Sequence, residues 1–299
     1  MAHKVCAIVN PASGRGSGAR ALPAIRAAFS AVGVTEVRLT SVKGDEATQT
    51  RRAIDEGFDT IVAGGGDGTW SNVANAIIAA GAGRSARLAL LATGTGNDFA
   101  KTVGSPARDF AATARLAVEG TDTAVDVGRI ENKHFLNVSG FGFDIAVLED
   151  IERISWLKGD LLYLYSAMRQ LFSYGGVEVG IATARRRREP RRHLMLIVAN
   201  ARNFGGSFRI APGASVTDGK LDAISILDAA PLARIRLFAA ATKGTHVMAR
   251  EVLVEQSPSF TLEFGEAPAF ETDGEYQRAS GTQVQIDCVP GALRVVVPG

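Results

Sequence analysis

The chain has 299 residues, of which 46% are hydrophobic and 21% charged, which excludes a disordered chain and a small disulfide-stapled scaffold. Its formal net charge of +2 is too near zero for a dedicated nucleic-acid binder, which must neutralise many phosphates. The N-terminal apolar run, residues 5–9, is too short for a secretory signal, and Cys6 and Cys288 lack the spacing of a metal or redox motif. We therefore expect a cytoplasmic protein with two buried thiols.

The first part of the chain alternates short β-branched runs with helical periodicity. Such alternation predicts βα units around a mostly parallel sheet, and we assign residues 1–125 to an α/β domain of this kind. Thr69 is expected to cap the helix that follows the glycine cluster of the third strand. The predicted strands are 5–9, 36–42, 60–63 and 88–92, and the predicted helices lie over 22–32, 45–56 and the residues after Thr69.

The second part of the chain consists mainly of short strands separated by turn signals, which predicts an antiparallel, β-rich domain over residues 126–299. Two helices are predicted within it, over 159–173 and over 231–243, the latter beginning with a proline. The predicted strands are 125–130, 134–139, 177–183, 193–199, 221–227, 259–264, 283–288 and 293–297. The fold class is therefore α/β followed by a sandwich-like β domain.

Three glycine-rich segments follow predicted strands of the first domain: NPASGRG at 10–16, GGGDGT at 64–69 and TGTGNDF at 93–99. Glycine lets backbone N–H groups approach a phosphate closely, and a following helix adds its positive dipole end. In an open α/β sheet this edge binds ligands. One such loop is often only a tight turn, but three together predict a polyphosphate ligand.

Two familiar nucleotide-binding motifs fit these segments poorly. None has the Lys followed by Ser or Thr of a Walker A loop, so a P-loop NTPase is excluded. Gly14, Gly16 and Ala19 do satisfy the dinucleotide pattern G-x-G-x-x-A, with Glu36 downstream. However, Glu36 lies at the start of its predicted strand, whereas the ribose-binding acid belongs at a strand end, so this alternative is disfavoured.

The three segments resemble the nucleotide-binding motifs of the diacylglycerol kinase catalytic-domain superfamily, which includes bacterial lipid kinases and the sphingosine and ceramide kinases. The later segments FGFD at 141–144, TDGKLD at 217–222 and TDGE at 272–275 are similar to further family motifs in the usual order. The resemblance implies an NAD-kinase-like two-domain fold with ATP and Mg²⁺ as cofactors. The ATP-site candidates are Asn10, Ser13, Gly14, Arg15, Gly65, Gly66, Asp67, Gly68, Thr69, Thr93, Gly94, Thr95, Asn97 and Asp98.

Carboxylates supply the candidate chemistry. Asp67, beside the phosphates, would be repelled by them unless a metal intervenes, so it indicates metal binding or proton transfer. The resemblance places Asp273 and Glu275 at the cleft between the domains, with Asp273 as the base that accepts the hydroxyl proton and Glu275 in support. A competing assignment makes Asp67 the base. We expect Asp273→Asn to isolate proton transfer from packing.

A structural Mg²⁺ site is a further implication of the resemblance. Asp218 is similar to the side-chain ligand of this site in bacterial members, with carbonyls around Ser215 and Lys220 completing the shell. One carboxylate with carbonyls and waters suits a hard cation. An Asp in a tight turn with Gly219 is the alternative explanation for Asp218.

The resemblance implies ATP-dependent phosphorylation of a lipid hydroxyl, with diacylglycerol giving phosphatidic acid for phospholipid biosynthesis as the first expectation. The alternatives are an NAD kinase-type enzyme, whose following Asn-Glu pair is not found here, and a non-catalytic nucleotide-binding regulator. The partners expected are ATP and a lipid at a membrane surface, with no nucleic acid; a homodimer stays open.

The lipid must be drawn from a membrane. The six arginines of residues 185–192 could attract anionic headgroups in peripheral contact with a membrane, and a solvated hairpin tip is the alternative explanation. Apolar side chains would accept the acyl chain, although core packing is the better explanation for any single one of them. The candidates are Phe141, Phe143, Trp156, Leu157, Leu161 and Leu162.

Overall fold

The computed structural model describes residues 3–154 and 159–298, which form two compact units. The first unit contains the chain up to Val127, Val216–Gly219 and the chain from Val289 onward, and the second contains Gly128–Ser215 and Lys220–Cys288. The predicted domains, 1–125 and 126–299, were contiguous, whereas two later segments of the chain belong to the first unit. The second of these segments belongs there because the end of the last strand pairs with a parallel strand of the first unit.

The helices and strands divide into a first part of alternating strands and helices and a second part rich in strands. The first part contains β1 (Val5–Val9), α1 (Ser13–Ala31), β2 (Val37–Leu39), α2 (Asp45–Asp55), β3 (Thr60–Gly65), α3 (Asp67–Ala79), β4 (Arg87–Ala92), α4 (Asp98–Val103) and α5 (Phe110–Glu119). The second part contains β5 (Thr121–Ile130), β6 (Lys133–Phe135), β7 (Val138–Gly142), α6 (Phe143–Arg153), α7 (Gly159–Ser173), β8 (Val177–Ala182), β9 (Arg187–Ala199), β10 (Leu221–Leu227), α8 (Pro231–Ala241), a 3₁₀ turn (Thr245–Met248), β11 (Val252–Ser257), β12 (Ser259–Phe264), β13 (Ala269–Thr272), β14 (Glu275–Arg278) and β15 (Gln283–Val297).

The first unit is built on a parallel sheet in the order β2, β1, β3, β4, followed by the end of β15. Every residue of β1, β3 and β4 is buried, as expected for parallel strands covered on both faces. Ile25 and Phe29 of α1 pack into one core with Ala114 and Ala117 of α5. Burial of these side chains against the sheet is the main source of stability of this unit.

The second unit is antiparallel, and the long strand β9 organises it by pairing with β7, β8 and β10. Alternate residues of β9 enter different apolar cores. Met195 and Ile197 lie in a core with the helix residues Val147, Leu171 and Leu237, whereas Leu196 and Val198 lie in a core of strand residues. Both faces of the second half of β9, residues 194–199, are therefore buried, which explains the continuous apolar sequence there.

These observations confirm the predicted fold class and correct several details. α3 begins at Asp67 with Gly66 as its N-cap, so the prediction that Thr69 caps this helix was wrong. β9 begins at Arg187, so part of the arginine run is strand rather than hairpin tip. The strands predicted over 283–288 and 293–297 form one continuous strand, β15. The sequence prediction also missed helices α4, α5 and α6.

The cysteines are both free thiols, and Cys6 is buried whereas Cys288 is only half-buried. In the two described stretches, 3–154 and 159–298, there is no helix with both the length and the apolarity needed to cross a lipid bilayer.

Candidate functional site

The three glycine loops follow β1, β3 and β4, which are neighbours in the parallel sheet. Backbone hydrogen bonds join the loops directly. The N–H of Asn10 donates to the carbonyl of Gly64 at 2.8 Å, and the N–H groups of Thr93 and Gly94 both donate to the carbonyl of Gly65, at 2.8 and 3.0 Å. The sheet therefore brings the three predicted segments into one site at its carboxyl edge.

Side chains connect the loops a second time. The Ser13 and Thr93 hydroxyls lie 2.7 Å apart, and Asn10 Nδ2 donates to Thr69 Oγ1 at 3.2 Å. Asn10 Nδ2 also donates to Glu46 Oε1 at 3.0 Å, and Glu46 is only 3% exposed. Glu46 was missed by the sequence analysis because a single acid on a polar helix carries no local signal of burial.

Glycine is required where the loops approach one another. A Cβ on Gly14 would lie 2.2 Å from the Thr93 carbonyl oxygen, and a Cβ on Gly94 would lie 2.5 Å from Gly66 Cα. By contrast, a Cβ on Gly68 would meet no heavy atom within 4 Å. The loops are thus closed against one another, while the first turn of α3 faces open space.

The first turn of α3 has the geometry of an anion site. Gly66 at the N-cap has extended backbone (φ −116°, ψ −166°), and no side chain caps the helix. Its first N–H groups are therefore free of intrahelical partners, and they carry the positive end of the helix dipole. Asp67, half-buried at the first position, accepts a hydrogen bond from the Phe99 N–H through Oδ1 at 3.0 Å.

The third loop is held by Asn97, which has a positive φ of 53° and donates from Nδ2 to the Gly94 carbonyl at 3.0 Å. Arg108 also donates to this carbonyl, at 3.2 Å, and thereby brings a guanidinium to the site that the sequence analysis did not identify. Asp98 is buried and pairs with Lys101 at 2.9 Å. Two of the other predicted ATP-site residues, Arg15 and Thr95, are exposed.

Asp273, in the second unit, is 9% exposed and has a positive φ of 49°. Its Oδ1 accepts the N–H groups of Asn137 and Val138, at 2.8 and 3.2 Å, and its Oδ2 accepts that of Leu136 at 2.8 Å. The expectation that Asp273→Asn leaves packing intact is therefore wrong, since an amide would turn a donor toward a backbone N–H. Asp273 anchors the segment that leads into β7.

The other predicted acids of this region are more accessible. Glu275 is half-buried and forms an ion pair with Lys133. Asp218 and Lys220 are exposed and Ser215 is half-buried. No group of three His, Cys, Asp or Glu side chains among the described residues could hold a metal ion, so the predicted Mg²⁺ site stays a prediction.

A small apolar cavity of about 40 Å³ lies within the second unit. Among the described residues, Asp144 is the single acid or base in its wall, and Phe143 is the one acyl-path candidate that lines it. Phe141 instead stacks on Phe264 and Phe270 in the other core of this unit. The other wall residues are Val147, Met195, Phe204, Phe208, Ile210, Ile226, Leu237, Phe238 and Ala241.

The remaining acyl-path candidates are less informative. Trp156 and Leu157 lie outside the described residues, as does the side chain of Leu161, and Leu162 is half-buried in α7.

Two family models match consecutive parts of the chain. Residues 4–130 match the diacylglycerol kinase catalytic domain, and residues 137–297 match the YegS C-terminal NAD kinase beta sandwich-like domain. Together these matches include all three glycine loops and the TDGE segment.

Similar proteins are found among both sequences and solved structures. The chain is 34% identical over 266 residues to a "Probable lipid kinase YegS-like" of Pseudomonas aeruginosa, covering 88% of this chain and 84% of that protein. It is 29% identical over 304 residues to a diacylglycerol kinase of Mycobacterium tuberculosis, covering 99% and 95%.

The solved structures show the same fold. A diacylglycerol kinase of Bacillus anthracis superimposes with a TM-score of 0.73 at 21% identity, covering 99% of this chain and 97% of that one. An NAD kinase of Archaeoglobus fulgidus in complex with ATP gives 0.53 at 15% identity, covering 98% and 93%. These likenesses confirm the NAD-kinase-like architecture.

Gly68→Ala tests whether the open turn of α3 binds phosphate. The new methyl group has room in the protein, and alanine is the better helix former by ~0.5–1 kcal/mol, so stability should not fall. The methyl would nevertheless occupy the space above the helix N-terminus. We expect ATP affinity, measured by calorimetry, to fall by at least about tenfold, which is ~1.4 kcal/mol.

Gly265→Ala is the matched control, because its Cβ would also meet nothing within 4 Å but lies outside the first unit. It should change neither ATP affinity nor stability. Unchanged ATP affinity in Gly68→Ala would contradict phosphate binding at this turn.

Proposed function

Because the chain belongs to the diacylglycerol kinase catalytic-domain superfamily, together with the YegS-like lipid kinases, we propose that it transfers the γ-phosphoryl group of ATP to a membrane lipid hydroxyl. Diacylglycerol, which would give phosphatidic acid, is the first proposed acceptor, since relatives over nearly the whole chain carry that name.

The apolar cavity is the observation that carries the choice of a lipid acceptor. Ten of the eleven wall residues found in the described part of the chain are apolar, so the end of an acyl chain could lie against them without stranding a polar group. A nucleotide acceptor such as NAD would place hydroxyl and phosphate groups against this wall without partners. The cavity therefore supports lipid phosphorylation over the NAD kinase-type alternative.

ATP binding is supported by the joined glycine loops and the open first turn of α3. A Mg²⁺ ion bound with the nucleotide would bridge phosphate oxygens and neutralise the charge that develops during transfer. Asp67 fits this ion, because its half-buried carboxylate stands at the first position of α3, where Gly68 faces open space. Asn10, Thr69 and Thr93 hold the loops in place around that position.

Asp67 also fits the role of proton acceptor better than Asp273 does. Both oxygens of Asp273 accept backbone N–H groups in a buried position, whereas the half-buried Asp67 carboxylate stands at the first position of α3, beside the open turn at Gly68. We therefore assign Asp67 to the reacting groups, and Asp273 to fixing the segment that leads into β7. Glu275, two residues after Asp273, supports the Asp273–Gly274 turn through its ion pair with Lys133.

Membrane contact is proposed for the exposed arginines around the β8–β9 turn. Arg187 and Arg188 are engaged in ion pairs with Glu263 and Glu255, each at 2.8 Å. The exposed remainder of the run is Arg185, Arg186, Arg191 and Arg192. Each basic residue near an anionic surface contributes ~1 kcal/mol, so this set could support peripheral binding.

An acceptor screen tests the proposed function. Purified protein is incubated with labelled ATP and vesicles carrying diacylglycerol, ceramide, a sphingoid base or phosphatidylglycerol, beside soluble NAD. We expect label in diacylglycerol, and Asp67→Asn should lower that kcat by ~10²- to 10⁴-fold. Asp55→Asn, an exposed position on α2, is the control. Label in NAD alone, or in no acceptor despite ATP binding, would overturn the proposal.

Asp273→Asn tests the division of roles in the same assay. It should destabilise the protein by ~1–3 kcal/mol, because a buried backbone N–H loses its acceptor. A folded Asp273→Asn enzyme without turnover and with normal ATP affinity, beside an active Asp67→Asn enzyme, would make Asp273 the base.

The arginine assignment is tested by replacing Arg185, Arg186, Arg191 and Arg192 with serine. Binding to vesicles with anionic lipid should weaken, and its salt dependence should flatten because fewer charges are screened. The fourfold lysine variant keeps the charge and should bind like the wild type. Equal binding of the wild type to neutral and anionic vesicles at low salt would contradict the proposed membrane contact and make these arginines an ordinary solvated surface.

A further inference from the structure

Two acids from distant segments of the second unit meet at Gly140 on β7. Asp144 lies in the first turn of α6, and Glu271 lies in β13. A Cβ on Gly140 would lie 2.0 Å from Asp144 Oδ2 and 2.8 Å from Glu271 Oε1. The two carboxyl groups therefore face each other across a position that only glycine can occupy.

The facing oxygens are out of reach of solvent. Backbone N–H groups of Asp144 and Ile145 act on the Asp144 carboxyl group and lower its pKa, but within the described residues no hydrogen bond of ordinary geometry reaches either oxygen of Asp144 or Oε1 of Glu271. Glu271 is 1% exposed, and its remaining oxygen, Oε2, accepts the Gly274 N–H at 2.6 Å. Buried polar atoms without partners are costly, so their arrangement needs a reason.

Burial raises the pKa of both carboxyl groups, that of Asp144 to about 7, and the charge of Asp144 raises the pKa of Glu271 further. The charge of Asp273 raises the pKa of Glu271 as well. The nearby Tyr174 also has a raised pKa, because burial and the charges of Asp144 and Glu149 outweigh the opposing charge of Arg234. Two carboxylates so placed do not both ionise at neutral pH.

We propose that Asp144 and Glu271 share a proton between Asp144 Oδ2 and Glu271 Oε1, and act as a positioning pair that fixes the Asp273–Gly274 turn against the wall of the apolar cavity. Asp144 belongs to that wall, and Glu271 holds the turn through Gly274. The role in turnover rests on the proposed function, because this turn carries Asp273 and leads to Glu275.

The shared proton makes the arrangement sensitive to alkali. When the pair loses its shared proton, the two facing carboxylates repel each other. Glu271 can then no longer stay close to Asp144 while it accepts the hydrogen bond from the Gly274 N–H. Glu271→Gln retains the arrangement without a titrating proton, because Nε2 can donate to Asp144 while Oε1 accepts from Gly274. Asp144→Asn also retains the arrangement, because its amide Nδ2 can donate to the Glu271 carboxylate.

The pH profile of lipid phosphorylation is the first test. Wild-type kcat should fall on the alkaline side, and Glu271→Gln and Asp144→Asn should each keep several-fold more of their neutral-pH activity there. Glu178→Gln, an exposed position on β8, should follow the wild type. If both isosteric variants decline as the wild type does, the pair has no positioning role. Absence of wild-type lipid phosphorylation would instead count against the proposed function.

Unfolding measured against pH tests the shared proton without any activity. A carboxyl group whose pKa is raised in the folded state contributes stability that is present below its ordinary value of 3.8 and is lost as pH rises through about 7. For Asp144 alone, the folding constant should fall by up to ~10³-fold across this range, since each pKa unit is tenfold.

The comparison with variants isolates this contribution. The wild-type folding constant should fall more steeply with pH than that of Glu271→Gln or Asp144→Asn, while Glu178→Gln should match the wild type. Parallel slopes for wild type and both isosteric variants would overturn the shared proton. Two isosteric variants are used so that, if one does not fold, the slope of the other still tests the shared proton.

Discussion

The hydrogen-bonded register of β1, β3 and β4 is the constraint on which the site of the first unit depends. Parallel pairing ends the three strands at one edge, so the chain leaves them at Asn10, Gly66 and Thr93 side by side. The loops then approach within backbone contact, as the crowding of Gly14 and Gly94 shows. Larger residues at those positions would separate the loops, and α3 would lose the neighbours that complete its open first turn.

A comparable constraint acts in the second unit through β9, which is buried on both faces along its second half, residues 194–199. One face contributes Met195 to the apolar cavity, and the other contributes Leu196 to the strand core. This division leaves few places for polar groups. Two of the acids that are nevertheless buried, Asp273 and Glu271, hold backbone N–H groups of neighbouring segments. These buried acids fix local geometry, and removing one would leave a buried N–H group without its acceptor.

The sequence predicted those features that depend on local chemistry. Strands 221–227 and 259–264 have the predicted bounds, and α8 begins at Pro231, since apolar alternation and proline geometry act over a few residues. The cap of α3 was misplaced because Gly66 adopts an extended backbone and lets the helix begin two residues before Thr69. A glycine can adopt the extended backbone seen at Gly66, but the presence of a glycine does not require that conformation.

The contacts that could not be predicted join segments far apart in the chain. Asp273 accepts N–H groups more than a hundred residues earlier, and Asp144 meets Glu271 only because β7 and β13 pair at Gly140. Glu46 likewise becomes a partner of Asn10 only after α2 packs on the sheet. No local pattern encodes such pairings, so a motif can identify a functional segment without identifying the partners that orient it.

We propose that the three glycine loops form one phosphate site, and each loop lies in a different part of the chain. Backbone hydrogen exchange of the protein with and without Mg-ATP therefore tests this site loop by loop. If the site is joint, ATP will slow exchange in all three segments, 10–16, 64–69 and 93–99, at the same ATP concentration. Protection of one segment alone, or of none, would contradict a joint site.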